Sequence, residues 1–164
     1  MNLKISILYL AFASINLSTA SLNSHQTAKQ YINPTGTYNL VSNAKTQNGD
    51  IYGPTGDIQV KALLKNKVAI VLGVNMGAPA YNSGALIDTL AYNDNTCIYK
   101  GNSDDPSCRI TFVFTSTGIK VSQKQADLNY GCGFGHGVFA DGFYKKKSGK
   151  VPVLKNPQTG ELIK

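Results

Sequence analysis

The sequence predicts an all-β protein, namely a single small antiparallel β-sandwich or barrel of about seven to eight strands that is tied by a disulfide. Three observations support this prediction. Apolar residues recur at every second position, turn residues separate the apolar runs, and no segment shows sustained helical spacing with caps. Because the chain has 164 residues, it is long enough for one domain with a real core.

The strands are predicted one by one from this alternation. Their apolar residues are, in chain order, Tyr38 and Leu40; Ile58, Val60 and Ala62; Val68, Ile70, Leu72 and Val74; Leu86, Leu90 and Tyr92; Ile110, Phe112 and Phe114; and Ile119 and Val121. The dipeptide Lys65-Asn66 and the turn at residues 116–118 separate neighbouring runs and predict hairpins. Several short strands joined by turns are typical of a sandwich or barrel.

The two ends of the chain differ from this middle part. Residues 1–20 are predicted to be a signal peptide, because Lys4 precedes an apolar run that ends in small residues before Ser21. The apolar run is shorter than the ~20 residues of a bilayer span. We expect residues 21–35 to be a flexible leader, residues 36–144 the β-domain and residues 145–164 a Lys-rich flexible tail. The expected location is therefore periplasmic or secreted, with no stable membrane anchor.

The charge follows the same division. The chain carries a net charge of +7, and residues 145–164 contain six Lys and one Glu. We therefore expect a nearly neutral folded domain with a basic, mobile end. Nucleic acid is not a predicted partner, because Arg109 is the only Arg and aromatic residues interleaved with Arg are absent.

The cysteines are interpreted through the predicted export, because oxidising compartments favour disulfides. The chain has Cys97, Cys108 and Cys132, so three pairings are possible and one thiol is left over or pairs between molecules. Cys108–Cys132 is favoured, since each residue lies at the edge of a predicted strand and the bond would tie distant strands together. The alternative, Cys97–Cys108, would close only a short loop.

The densest motif is the glycine-rich segment at residues 131–144. If this segment is a strand, alternate glycines occupy one face, and that bare face accepts either a neighbouring aromatic ring or an extended peptide or glycan. Residues 93–106 form the longest polar connection and a second candidate edge. The candidate binding residues in these two segments are Phe134, His136, Phe139, Asp141, Tyr144, Asn95, Lys100 and Asp104.

Metal, cofactor and catalytic sites are not predicted. On a strand, Cys132 and His136 would lie ~13 Å apart, too far for one metal ion. The glycine spacing does not fit a dinucleotide-binding loop, and no Walker lysine follows it. Glu161 is the only Glu, and no nucleophile signature accompanies His136.

The glycine-rich segment also carries a resemblance. Residues 132–135 (Cys-Gly-Phe-Gly), Val138 and the ending at residues 142–145 (Gly-Phe-Tyr-Lys) resemble a group of small exported bacterial proteins of unassigned function. The similarity covers about residues 36–146. It implies a periplasmic or secreted β-domain with a Cys108–Cys132 bond, and it implies no chemistry. A looser similarity is to periplasmic lysozyme inhibitors, whose Ser-Gly-x-x-Tyr loop this chain lacks.

The predicted function is an exported, non-enzymatic binding domain. Its expected partner is another protein in the envelope or outside the cell, and it would act, for example, as an inhibitor or immunity factor against an envelope-directed enzyme. A small-ligand or glycan-binding barrel is the alternative, with Phe134, Phe139, Phe143 and Tyr144 lining the site. A hydrolase that uses His136 and an Asp is a third hypothesis.

Overall fold

The computed structural model describes residues 30–163. The predicted signal peptide and residues 21–29 of the predicted leader lie outside the described residues. The described chain forms nine strands. They are β1 (Gly36–Leu40), β2 (Lys45–Gln47), β3 (Asp50–Leu63), β4 (Lys67–Gly77), β5 (Ser83–Ala91), β6 (Thr96–Tyr99), β7 (Arg109–Phe114), β8 (Gly118–Lys124) and β9 (Gly142–Ser148).

These strands form one antiparallel sheet that curls into a nearly closed barrel, which confirms the predicted fold class. The order around the barrel is β5-β4-β3-β1-β9-β8-β7-β6, and β2 pairs only with β3. Strand β1 lies between β3 and β9, so the first and the last strand of the chain pair with each other. Strands β5 and β6 face each other without a hydrogen-bonded ladder, which leaves one seam. Among the described residues, no helix is long and apolar enough to cross a membrane.

The interior of the barrel is filled with the apolar residues that the alternation points inward. The largest fully buried side chains are Tyr38, Tyr144, Phe112, Phe114, Ile58, Ile70, Leu72, Ile110 and Ile119. Phe114 packs edge-to-face against Tyr38 and Tyr92, with ring centroids 6.2 and 5.3 Å apart. The interior of the barrel is therefore filled by packed side chains.

One end of the barrel, the N-terminal end, is closed by residues 30–35. Thr35 is buried, and Ile32 packs against the core. Asn95, in the turn between β5 and β6, accepts a hydrogen bond from the Ile32 N–H at 2.8 Å and donates one to the Gln30 carbonyl at 2.7 Å. Residues 30–35 are therefore an ordered plug, in contrast to the flexible leader that the composition predicts.

The C-terminal boundary also differs from the prediction. Strand β9 runs to Ser148 and pairs with both β1 and β8, so residues 145–147 belong to the barrel. The chain then crosses the outer face of β3, β4 and β5, where the Lys155 N–H donates to the Gln59 side chain at 3.0 Å. Pro157 lies on Gly73. Backbone hydrogen bonds and ring packing thus fix a segment that the Lys and Pro content predicts to be flexible.

The glycine-rich segment is not a strand up to Gly142, so that prediction is wrong. It folds into turns with positive φ at Cys132 (59°), Gly133 (72°) and Gly137 (66°). The two consecutive left-handed residues, Cys132 and Gly133, interrupt the extended backbone that a strand needs, and Gly adopts this conformation without strain. The polar connection at residues 93–106 is also interrupted, because strand β6 lies inside it and pairs with β7.

Candidate functional site

The opposite end of the barrel, the loop end, carries the two long connections of the sheet. One is the loop at residues 100–108 between β6 and β7, and the other is the loop at residues 125–141 between β8 and β9. The disulfide Cys108–Cys132 joins them, with a Cα–Cα distance of 5.1 Å. The favoured pairing is thereby confirmed, and the bond ties one loop to the other.

Asp105 joins the same two loops without a covalent bond. Its Oδ1 accepts hydrogen bonds from the Ser107 hydroxyl at 2.6 Å and from the Cys108 N–H at 3.1 Å, and its Oδ2 accepts one from the Cys132 N–H at 2.7 Å. These bonds, the Ser107 hydroxyl first, lower the pKa of the Asp105 carboxyl. The carboxylate is therefore ionised at neutral pH and holds both loops.

Asp105 was not among the residues predicted from the sequence, although the neighbouring Asp104 was. The run Asp105-Pro106-Ser107 could have indicated the role of Asp105, because an Asp before Pro and Ser commonly caps a turn with its side chain. The Asp105 carboxylate and the two disulfide sulfurs lie within 4.8 Å of one another. Since both sulfurs are in the disulfide, they supply no thiolate ligands, and we assign this cluster no metal.

Phe134 fixes the second loop to the barrel. Its buried ring lies directly on Gly84 of β5, where an added Cβ would collide with the ring. The neighbouring Gly135 N–H donates to the Ser83 carbonyl at 2.9 Å. The expected packing of an aromatic ring on a glycine is therefore present, but the glycine belongs to β5 and the ring belongs to the glycine-rich segment.

The exposed side chains of the second loop include one aliphatic and two aromatic ones. Leu128 is 70% exposed and Tyr130 is 62% exposed, and the exposed His136 ring lies 5.1 Å from the Tyr130 ring between centroids. The Asp127 carboxylate caps the turn by accepting from the Asn129 N–H at 2.8 Å, and the Gly137 N–H donates to the Asn129 carbonyl at 2.7 Å. We call Leu128, Tyr130 and His136 the loop-end cluster.

A shallow depression of about 240 Å³ adjoins the loop-end cluster. Its lining includes Asp104 and Phe134, so the structure brings these two predicted residues together beside Tyr130. His136 adjoins the depression through its contact with Tyr130. In the described part of the chain, no hydrogen bond joins a carboxylate to the His136 imidazole.

The other predicted residues lie apart from this cluster. Tyr144 is fully buried and donates its hydroxyl to the Ala140 carbonyl at 3.0 Å. Asn95 lies at the N-terminal end, 2% exposed. Asp141 accepts from the Gln123 N–H at 3.1 Å, Phe139 is half-buried, and Lys100 is exposed at the start of the first loop.

The aromatic residues proposed to line one ligand site do not share a site. Phe134 covers Gly84, Tyr144 is in the core, and Phe143 lies on the outer face of β9. Adjacent strand residues point to opposite faces, so Phe143 and Tyr144 cannot line the same cavity.

The third cysteine, Cys97, lies in β6 and is fully buried as a free thiol. Burial raises the pKa of this thiol to about 12, because the thiolate would lose its hydration. The thiol is therefore protonated at neutral pH and is closed to another molecule while the barrel is folded.

A polar groove of about 620 Å³ lies on the outer face of β1, β3 and β4, beside the C-terminal segment. Its polar lining includes Asn39, Thr55, Asp57 and Asn75, and Gly73 lies between them. This groove was not predicted from the sequence, because Pro157 and Gln158, which border it, belong to the segment that was predicted to be a flexible tail.

No protein-family model, curated protein or solved structure matches this chain.

Proposed function

We propose that this protein is an exported, non-enzymatic binding domain that contacts another protein through its loop end. The observation that carries the proposal is the loop-end cluster, whose exposed side chains lie on one loop that a disulfide bonds to the neighbouring loop. The expected partner lies in the envelope or outside the cell. The disulfide is consistent with an oxidising compartment.

The order of the second loop supports this proposal. An exposed apolar side chain is common on any protein surface and needs no partner to explain it. Here, however, Tyr130 and Leu128 lie in a turn capped by Asp127, and the same loop is fixed by the disulfide and by Asp105. Loops that are ordered before binding lose little conformational entropy on binding, and Tyr is a frequent anchor of protein interfaces.

An inhibitor or immunity protein is the form of this function that the geometry favours. The interface backbone of protease–inhibitor and other pre-organised complexes moves little on binding, so an inhibitor benefits from loops that are already stiff. The cross-linked loops at residues 100–108 and 125–141 supply this stiffness. The shallow depression beside Tyr130 suits a small side chain of the partner.

The experiment is capture of a partner from periplasmic or extracellular extracts with the immobilised secreted chain, followed by a binding titration with the purified partner. We expect Tyr130→Ala to weaken binding at least about tenfold, as removal of an interface anchor does. The matched control is Leu64→Ser, since Leu64 is 88% exposed in the β3–β4 turn at the other end of the barrel. Unchanged binding by Tyr130→Ala, or an equal loss with the control, would contradict the proposal.

A glycan-binding function is the second candidate, and the polar groove beside Gly73 favours it. A volume of about 620 Å³ accommodates a small saccharide, and Asn39, Asp57 and Asn75 supply amide and carboxylate hydrogen-bonding groups. We expect Asn75→Ala to abolish saturable binding of neutral oligosaccharides, measured by calorimetry. If the unsubstituted protein shows no saturable binding to a panel of such oligosaccharides, this candidate is wrong.

A further inference from the structure

The outer face of β7, β8 and β9 carries a row of cations. Its outward side chains include Arg109, Lys120, Lys124, Lys145 and Lys147, which are all exposed. Strands β7, β8 and β9 contain no Asp and no Glu. We call these five residues, together with Phe143, the basic face.

The register of the sheet brings these charges close together. Arg109 lies directly opposite Lys124 across β7 and β8, and such partners have Cβ atoms about 5 Å apart. Lys120 lies opposite Phe143, and Lys145 lies opposite Gly118 on the neighbouring rung. Like charges that face each other across a sheet destabilise it. The basic face therefore holds repulsion that an anionic ligand would relieve.

Phe143 adds a flat apolar surface in the middle of these charges. Its ring lies over Gly118, where an added Cβ would come within 2.7 Å of the ring Cζ. The side chain is still 37% exposed, and it lies between Lys120 across the ladder and Lys145 two residues along β9. Covering a strand glycine is a structural role for such a ring, and its exposed part is free to stack on a sugar.

The surroundings give this positive surface defined borders. At the loop end, Asp141 precedes β9 and uses its carboxylate to accept from the Gln123 N–H. On the other side, Lys145 faces Asn39 of β1, and Asn39 faces Asp57 of β3. The outer faces of β3, β4 and β5 are crossed by the C-terminal segment. The basic face is thus an open strip of sheet between acidic neighbours.

We propose that the basic face binds an anionic polysaccharide, with the Lys side chains contacting its carboxylate or phosphate groups and Phe143 stacking on a sugar ring. A single exposed ion pair contributes little. A polymer with regularly repeated charges engages several cations at once, and the attraction is weakened by salt. Nucleic acid fits less well, because single-strand binding uses several stacked aromatics, and this face has one.

The test uses the secreted chain with alginate as a polyuronate probe, dextran as a neutral probe and single-stranded DNA as a phosphate polymer. We expect binding to alginate at low salt that weakens as salt rises, and no binding to dextran. The double variant Lys120→Glu with Lys145→Glu should lose at least about tenfold in affinity, since two attractive contacts become repulsive. Phe143→Ala should weaken alginate binding and leave its salt dependence unchanged.

The matched control is Lys61→Glu with Lys67→Glu, which changes the net charge equally on exposed positions of β3 and β4. Its alginate affinity should stay within about twofold of the unsubstituted protein. Equal losses in both double variants would show that net charge alone attracts the polymer and would overturn the proposal. Absence of alginate binding, equally tight DNA binding, or an unaffected Phe143→Ala would overturn it as well. Matching melting curves for all variants would exclude misfolding as the cause.

Discussion

The two ends of the barrel are closed in different ways. At the N-terminal end, residues 30–35 lie over the core and are held by Asn95 and by the Tyr92 hydroxyl, which donates to the Ile32 carbonyl. The turns there are short, and this end is held by noncovalent contacts. At the loop end, two long loops are held by a disulfide and by one carboxylate.

The contacts at the N-terminal end close the core, whereas the contacts at the loop end hold exposed side chains in fixed positions. At the N-terminal end, Asn95 and Tyr92 hold residues 30–35 over the core, and Tyr31 and Leu64 are exposed beside them. The loop end keeps Leu128 and Tyr130 exposed while its backbone is fixed. Exposure alone does not distinguish the two ends, so the proposed partner surface at the loop end depends on the cross-linking of its two loops.

The largest test of this comparison is removal of the disulfide by Cys108→Ser with Cys132→Ser. The bond spans a sequence separation of 24, and a loop of that size contributes about 3–4 kcal/mol to the free energy of unfolding on the chain-entropy model. We expect that loss in denaturant titrations. Hydrogen exchange should speed up in residues 125–141 and stay slow at Asn95. Equal loosening of both ends would mean that the ends are one cooperative unit.

The next test concerns the N-terminal end. Asn95→Ala removes three hydrogen bonds, to Ile32, Tyr92 and Gln30, and places Ala in a left-handed backbone conformation (φ 60°). We expect a loss of about 2–3 kcal/mol in the free energy of unfolding and faster proteolysis within residues 30–35. The exposed Asn93 in the same turn is the control, and Asn93→Ala should change that free energy by at most about 0.5 kcal/mol. Similar losses in both variants would show that the hydrogen bonds of the Asn95 side chain do not hold residues 30–35 in place.

A smaller effect is expected from the pH dependence of Asp105. Its pKa lies below the ordinary value of 3.8, so its stabilising contribution is complete above that value and is lost as the pH falls through the lowered pKa. Asp105→Asn should therefore be less stable than the unsubstituted protein at pH 7, and the difference should shrink towards pH 2. Asp104→Asn, at an exposed neighbour, is the control. A difference that is constant with pH would exclude the ionised carboxylate as the cause.

The smallest effect is expected at Cys97, which lies in β6 between the two ends. Because the thiol is fully buried and its pKa is raised to about 12, it should not react with a thiol reagent at pH 8 in the native protein. It should react fully after denaturation. In the disulfide-free variant, continued protection of Cys97 would show that loosening stays at the loop end, whereas fast reaction would show that it spreads into the barrel.

The strands of the core could be predicted from the sequence, because burial of one face imposes alternation on residues such as Ile58, Val60 and Phe112. Strand β9 could not. It contains three consecutive lysines, and the inward one, Lys146, lies near the mouth of the barrel, with its Nζ 5.6 Å from the Tyr38 ring centroid and 3.4 Å from the Asn33 carbonyl. At a barrel mouth an inward position can be charged, which hides the period of the strand.

The candidate site could be predicted only in part. Alternate glycines repeat with the two-residue period of a strand, so the glycine-rich segment was predicted to have a glycine-lined strand face. The segment forms turns and has no such face. Its turns depend on positive φ at Cys132 and Gly137, which composition does not reveal. Two of the selected residues, Asp104 and Phe134, do lie together. Tyr130 and Asp105 were missed, because their importance comes from contacts between two loops that are distant in sequence.

The position of β1 has a consequence for biosynthesis. This strand needs β3, which follows it closely, and β9, which is made more than one hundred residues later. Until residues 142–148 emerge, β1 and β8 each expose an unpaired edge that another chain could capture. We therefore expect fragments that stop before Gly142 to aggregate rather than to form a smaller working domain.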